Sequence, residues 1–158
     1  MLFYGTDIEM RHFSLISVVM ILLSGCATTR PDNMNNDLTP CPASPNCVSS
    51  DAQGIVHGIP PLQLTVEGAV AWSALVKLLE EDQSITVITH QKNDYLRAEA
   101  RTAFFGFVDD VEFKARPDDN EIAMRSASRI GISDLGKNRR RLESLRSALA
   151  DQEIVQGR

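Results

Sequence analysis

The stretch Tyr95-Leu96-Arg97-Ala98-Glu99-Ala100-Arg101-Thr102 decides the fold of this chain. Its apolar residues Leu96, Ala98 and Ala100 alternate one by one with charged residues. Because successive side chains of a β-strand point to opposite faces, this alternation predicts a strand with one apolar and one charged face.

The same two-residue period recurs on both sides of this strand. Residues 85–91 upstream are rich in β-branched side chains, and Asn93-Asp94 is typical of a turn between the two segments. Residues 111–115 and 122–127 downstream alternate in the same way, and a turn-forming stretch at residues 117–120 separates them. Four sequential strands with short connections predict an antiparallel meander.

Two helical stripes flank the strands. In each stripe, apolar residues recur three or four positions apart, which places them on one face of a helix. The first helix is predicted over residues 66–81 with Thr65 as its N-cap, and the second over residues 139–152. The stripe residues are Trp72, Leu75, Val76 and Leu79 in the first helix and Leu142, Leu145 and Leu149 in the second. We therefore expect an α+β domain in which an N-terminal and a C-terminal helix pack on one face of a four-stranded antiparallel meander.

The charged positions of the predicted strands fall together on the face opposite the helices. These positions are Arg97, Arg101, Arg125, Arg129, Glu99 and Glu112. One interpretation is a ladder of cross-strand ion pairs, each of which contributes a fraction of a kcal/mol. The other interpretation is a polar groove that binds an anionic or zwitterionic ligand.

A run of three arginines, residues 139–141, lies near the start of the second helix. The positive end of the helix dipole disfavours cations there by about 0.3–1 kcal/mol each. We expect this cost to be offset either by the carboxylates of Asp109, Asp110 and Asp134 or by a bound phosphate or carboxylate. The ligand-binding interpretation assigns a site to Arg125, Arg129, Asp134, Asn138, Arg139 and Asp110.

The segment Leu23-Ser24-Gly25-Cys26 follows an apolar run at residues 13–23 and resembles the lipobox of bacterial lipoproteins. As a helix this run would rise about 16 Å, half the thickness of a hydrocarbon core, and its length fits the apolar region of a signal peptide. We therefore predict a lipoprotein signal peptide over residues 1–25 and lipidation of Cys26. Asp7 and Glu9 are unusual before such a run, whereas a start at Met10 would give an ordinary signal sequence.

The resemblance to a lipobox implies an address in the cell envelope. The lipidated cysteine would anchor the protein to a membrane, and Ala27 after it implies the outer membrane, facing the periplasm, in a Gram-negative cell. Residues 26–39 are polar and are predicted as a flexible tether, and residues 40–152 as a single α+β domain. The net charge of −5 argues against nucleic acid as a partner.

Cys41 and Cys47 are the remaining cysteines, and they enclose a short segment with two prolines. In an exported protein such a pair favours a disulfide, because the compartment is oxidising. Two alternatives stay open: a catalytic thiol at Cys47 activated by His57, and a metal site completed by His57 or His90. The sequence contains no glycine-rich phosphate loop or metal-ligand cluster, so we predict neither a cofactor nor a metal.

Three segments carry a resemblance to a known family. They are residues 41–49, residues 106–113 and, most specifically, Arg125-Ser126-Ala127-Ser128-Arg129-Ile130-Gly131-Ile132-Ser133-Asp134-Leu135-Gly136-Lys137-Asn138-Arg139. Over residues 40–149 the chain resembles domain of unknown function 1499. The resemblance implies an envelope-associated domain and supplies no catalytic residue.

These features predict a lipid-anchored protein of the cell envelope whose domain is a binding or structural module with an arginine-rich polar site. Its expected partners are the membrane, through Cys26, and either an anionic or zwitterionic ligand or another envelope protein. The alternative function is that of an envelope hydrolase or thiol enzyme that uses Cys47 and His57.

Overall fold

The computed structural model describes residues 37–91, 94–102 and 106–157, the side chains of residues 87–91 excepted. In this part of the chain, two long helices pack on the apolar face of an antiparallel sheet. Within these residues there are six strands, three α-helices and one short 3-10 helix, Pro117–Asp119. The strands are β1 (Cys47–Ser49), β2 (Leu62–Gln63), β3 (Ile85–Gln91), β4 (Tyr95–Arg101), β5 (Val108–Arg116) and β6 (Glu121–Ser128). The helices are α1 (Gly54–His57), α2 (Gly68–Glu81) and α3 (Lys137–Ala150).

The four predicted strands are β3 to β6, and each pairs with the next in antiparallel register. The α+β class is therefore confirmed, but the prediction of a sheet with only four strands is wrong. Both β1 and β2 pair with the outer edge of β6, where Val48 lies opposite Ser126 and Leu62 opposite Ile122. These strands are three and two residues long, too short to show a two-residue period in the sequence.

The apolar core lies between the sheet and the two long helices. Leu96, Phe113 and Met124 are neighbours across β4, β5 and β6, and all three are fully buried. They belong to one cluster with Trp72, Leu75 and Leu79 of α2 and Leu142 and Leu149 of α3. Each large apolar side chain buried in this way contributes about 1.5–3 kcal/mol to folding. The predicted helical stripes and the apolar face of the strands are thus confirmed.

The predicted N-cap of the first long helix is wrong. The helix α2 begins at Gly68, and Thr65 pairs with the C-terminal segment that follows α3. Its N–H donates to the Ile154 carbonyl at 3.1 Å and its hydroxyl to the Glu153 carbonyl at 2.5 Å. A threonine hydroxyl that donates to a distant carbonyl in this way is not capping the helix, and local sequence did not reveal that partner.

Residues 37–39, the end of the predicted tether, lie against the sheet. Leu38 is buried, and the Thr39 N–H and hydroxyl donate to the Glu112 carboxylate at 3.1 and 2.8 Å. Residues 26–36, the lipidation candidate Cys26 and the predicted signal peptide at residues 1–25 lie outside the described residues. In the described part of the chain no helix has the length and apolar character needed to cross a bilayer.

Cys41 and Cys47 form a disulfide, with 5.6 Å between their Cα atoms. The bond joins the segment that enters the domain to the first residue of β1. It therefore fixes the path of the chain between residues 41 and 47 against the edge of the sheet.

We expect the double substitution of Cys41→Ala and Cys47→Ala to lower the free energy of unfolding by about 2 kcal/mol, because a crosslink over so short a loop removes little entropy from the unfolded chain. Urea unfolding of the oxidised protein and of the variant measures this difference. Reductant should bring the oxidised protein to the stability of the variant and leave the variant unchanged. Equal stability of the two oxidised samples would contradict a stabilising role.

Candidate functional site

The charged face of the sheet carries three of the six predicted site residues, Arg125, Arg129 and Asp110. The register places Glu112 opposite both Arg97 and Arg125, and Glu99 opposite Asp110, all on the face away from the helices. Cross-strand neighbours of opposite charge on this face are within reach of each other. The predicted clustering of charges on one face is confirmed.

The pair between Arg125 and Glu112 is buried at the centre of this face. Arg125 Nη1 lies 3.1 Å from Glu112 Oε2, and the two side chains are only 3% and 1% exposed. The Glu112 carboxylate also accepts hydrogen bonds from Tyr95 Oη at 3.3 Å and from Thr39. Breaking such a buried pair leaves an uncompensated charge, which costs about 3–5 kcal/mol. The position of Arg125 is therefore that of a structural cation.

Arg129 lies nearer the surface of the same face and contacts two carboxylates. Its guanidinium donates to Asp110 at 2.9 and 3.2 Å and to Glu99 at 2.5 Å. The hydrogen bond to Asp110 is the main reason why the pKa of Arg129 is raised above its ordinary value, and Glu99 adds to it. Arg97 reaches the same Asp110 carboxylate at 3.3 Å. An anionic ligand at Arg129 would compete with carboxylates that the fold already supplies.

Asp134 caps the start of α3. Its carboxylate accepts hydrogen bonds from the N–H groups of Gly136 at 3.0 Å and Asn138 at 2.6 Å. Free amide groups at a helix start need such acceptors, and a negative charge there is favoured by the helix dipole. Asp134 thus places a negative charge at the start of α3, which offsets the unfavourable position of the three arginines there.

Asn138 is fully buried and links three parts of the domain. Its Nδ2 donates to the Asn46 carbonyl at 2.9 Å and to Ser128 Oγ at 3.1 Å. Its Oδ1 accepts from Ser126 Oγ at 2.6 Å and from Arg141 Nη1 at 2.8 Å. Because both ends of the amide are used, Asn138 is placed to hold α3 on the end of β6.

Of the three arginines at residues 139–141, one binds a carboxylate and two bind backbone carbonyls. Arg141 pairs with Asp109 at 2.6 Å, so the expected carboxylate partner Asp109 is confirmed. Arg140 donates to the Leu135 carbonyl at 2.8 Å, and Arg139 Nη2 lies within 3.2 Å of three carbonyl oxygens of the segment around α1. The expectation for Asp110 is wrong, because it points to the opposite face of the sheet from Asp109.

The six predicted ligand-binding residues therefore divide between two faces of the sheet. Arg125, Arg129 and Asp110 lie on the charged face, and Asp134, Asn138 and Arg139 lie at the start of α3 on the helix side. Two cavities of about 180 and 310 Å³ are lined by other residues. Because the sheet lies between these two groups, one ligand cannot contact all six residues.

The cysteine loop does not present a thiol. Cys47 Sγ is bonded to Cys41, and His57 Nδ1 lies 2.9 Å from the Cys47 carbonyl oxygen, to which it donates. A histidine held to a backbone carbonyl orients α1 against β1. Among the described residues there is no group of three or more His, Cys, Asp or Glu side chains that could hold a metal ion.

The family model described as protein of unknown function, DUF1499, matches residues 37–149. The chain belongs to the DUF1499 family. Searches of curated proteins and of solved structures found no match to this chain. The matched stretch begins next to the buried Leu38 and ends at the buried Leu149.

One feature of this DUF1499 domain gave no signal in the periodicity of the sequence. Among the described residues, large apolar side chains are exposed in three neighbouring segments, α1, the residue before β5 and the loop between β6 and α3: Ile55, Val56, Phe107, Ile130, Ile132 and Leu135. Three of them lie in the family-like segment between Arg129 and Lys137, where glycine and serine separate the apolar residues. Glycine and serine between two periodic segments are typical of a loop, and loops lie on the surface, so composition rather than periodicity could have indicated the exposure.

We expect Arg125→Ala to lower the free energy of unfolding by about 3–5 kcal/mol, because the buried Glu112 carboxylate would lose its cation. Arg101→Ala is the matched control: the Arg101 side chain is 58% exposed in its pair with Glu99, and its loss should cost less than about 1 kcal/mol. Urea unfolding followed by Trp72 fluorescence measures both. Similar small losses for the two variants would show that the buried pair is not structural.

Proposed function

We propose that this protein is a lipid-anchored component of the cell envelope and that its domain is a binding or structural module. The observation that carries the proposal is the disulfide between Cys41 and Cys47, which stands directly after the tether that follows the lipobox-like segment ending at Cys26. Disulfides persist in oxidising compartments such as the periplasm. In a Gram-negative cell, Ala27 favours the outer membrane, with the domain facing the periplasm.

The charge pairs support a rigid module. Asp109, Asp110 and Glu112 of β5 are each at most 2% exposed, and each binds an arginine from another element. Buried charges that are paired and hydrogen-bonded hold neighbouring elements at fixed distances, since separating them would leave charges without water. Such a domain keeps a constant surface for a partner while it hangs from a membrane.

Arg129 is the residue of the arginine-rich face best placed for a ligand. Its side chain is 37% exposed, and the carboxylate of Glu99 lies beside it. This neighbourhood of one cation and one anion suits a zwitterionic group, whereas a simple anion would meet repulsion from Glu99. The thiol-enzyme alternative has less support, because Cys47 would first have to be reduced.

The lipid anchor is tested by Cys26→Ser. Cells supplied with an alkyne-labelled fatty acid should label the protein, and the substitution should abolish the label because no sulfur remains for the thioether. Intact mass spectrometry should find the lipid on the unsubstituted chain. The double variant Cys41→Ala and Cys47→Ala is the control and should keep the label. A labelled Cys26→Ser protein would overturn the proposed anchor.

The ligand proposal is tested by Arg129→Ala with Arg101→Ala as the control for an exposed arginine on the same face. Protein purified from native membranes is examined by mass spectrometry for copurifying small molecules. We expect one to be lost at least tenfold in Arg129→Ala and retained in Arg101→Ala, with cooperative thermal unfolding in both. Equal retention, or loss accompanied by unfolding of the domain, would assign Arg129 to the scaffold alone.

A further inference from the structure

Exposed apolar side chains of the described residues concentrate in three segments that we together call the apolar end: the residue before β5, the loop between β6 and α3, and α1, which Arg139 holds beside the start of α3. These side chains are Ile55, Val56, Phe107, Ile130, Ile132 and Leu135. Ile55, Ile132 and Leu135 are 94%, 81% and 84% exposed. Among the described residues, the other large apolar side chain exposed to a similar degree is Val70, in the first turn of α2. Water contact with so many large apolar groups in one place is unfavourable and marks an interaction surface.

Specific hydrogen bonds bring the segments of the apolar end together. The Arg129 N–H donates to the Val108 carbonyl at 3.3 Å, which holds the loop after β6 beside the start of β5 and Phe107. Arg139 Nη2 lies 3.1, 3.2 and 2.8 Å from the carbonyl oxygens of Ile55, Val56 and Gly58. The start of α3 thus fixes α1 next to the loop that carries Ile132 and Leu135. The exposed side chains therefore lie on segments that hydrogen bonds hold in fixed positions.

Leu135 is held in a conformation that its residue type disfavours. Its φ is +52°, in the left-handed region, and the Arg140 guanidinium binds its carbonyl at 2.8 Å. Asn120 adopts the same φ of 52° after the turn before β6, and asparagine tolerates that region well. The fold would be served better by asparagine or glycine at residue 135. A leucine there, exposed to solvent, points to a contact outside the domain.

Basic residues lie next to the apolar end although the whole chain carries a net charge of −5. The first turn of α3 supplies Lys137, Arg139 and Arg140, and the carboxylate of Asp134, in the loop before it, is bonded to backbone amides. Arg101, at the end of β4, is 58% exposed beside the same edge. Apolar tips with basic residues around them suit the interface of a bilayer that contains anionic phospholipid.

The predicted anchor would bring this end within reach of a membrane, and this step rests on the proposed function. Residues 27–36 can span at most about 33–36 Å when extended. Thr39 is bonded to Glu112. Along β5, Glu112 is four residues, or about 13 Å, from Val108 at the start of the strand. The tether is thus long enough for the apolar end to touch the bilayer that holds Cys26.

We propose that the apolar end docks the domain onto an anionic phospholipid bilayer, with Ile132 and Leu135 entering the headgroup region and the basic residues of the α3 start contacting lipid phosphates. The tether keeps the local concentration of lipid high, so a weak contact suffices for docking. In the docked state the apolar end contacts the membrane, and the charged face of the sheet lies outside the membrane.

The test uses the full chain, purified with its anchor, on vesicles of phosphatidylethanolamine and phosphatidylglycerol. Ile132→Cys is labelled with a fluorophore that responds to solvent polarity. Val70→Cys carries the same label at the start of α2, which lies beside the turn between β5 and β6, at the other end of those strands. We expect a blue shift and quenching by brominated lipid for the label at residue 132 and neither for the label at residue 70. Phosphatidylcholine vesicles should reduce the shift at residue 132.

Leu135→Asn supplies the matched functional variant. It should leave thermal stability unchanged or raise it, because asparagine accepts the left-handed backbone, and it should lower the docked fraction reported by the label at residue 132 at least fivefold. A label at residue 132 that stays in water on vesicles, or equal shifts at both positions, would overturn membrane docking. A shift at residue 132 that appears without lipid and grows with protein concentration would overturn it in favour of contact between copies of the chain.

This design separates the docking proposal from the anchor. If Cys26 carries no lipid, its thiol takes up a second fluorophore, and the ratio of label to protein reports failure of the anchor directly. Failure of docking alone leaves one label on each chain, protein that sediments with the vesicles, and a fluorophore at residue 132 that remains in water.

Discussion

Three buried carboxylates on β5 constrain the arrangement of everything around that strand. Asp109, Asp110 and Glu112 are nearly free of solvent, and each requires a cation delivered by another element. Arg141 of α3 meets the first, Arg97 and Arg129 meet the second, and Arg125 of β6 meets the third. Since a buried carboxylate without its cation is costly, the docking of α3 and the register of β4 and β6 are coupled through one strand.

The sequence predicted the parts of the fold that depend on local periodicity. Alternation identified β3 to β6 and their two faces, and the spacing of Trp72 and Leu142 within their stripes identified the two long helices. The strands β1 and β2 were not predicted, because they are defined by their pairing with β6 and are too short to show a two-residue period. Thr65 has the chemistry of an N-cap, but its bond to the C-terminal segment depends on tertiary packing that a local pattern does not record.

The candidate site was predictable in chemistry but not in geometry. The alternation of residues along the strands predicts cross-strand ion pairs, and the pair between Arg125 and Glu112 is one of them. The partners of the helical arginines do not follow from sequence, because backbone carbonyls accept hydrogen bonds at every residue and leave no signal. The segment from Arg125 to Arg139 was therefore predicted as one ligand site. In the structure its residues have separate roles: Arg125 is a buried cation, Arg129 lies at the surface, Asp134 caps α3 and Arg139 binds the carbonyls of α1. The side chains of Ile132 and Leu135 in the same segment are exposed to solvent.

The disulfide between Cys41 and Cys47 also determines how the domain would carry mechanical load. Tension on the chain upstream of residue 37 first breaks the hydrogen bonds of Thr39 to Glu112; it then passes through the disulfide into β1, and residues 42–46 carry none of it. Asn46, whose carbonyl is bonded to Asn138, is thus shielded from the pull. The load then falls on the hydrogen bonds between β1 and β6, while the polar junction that seats α3 stays at rest.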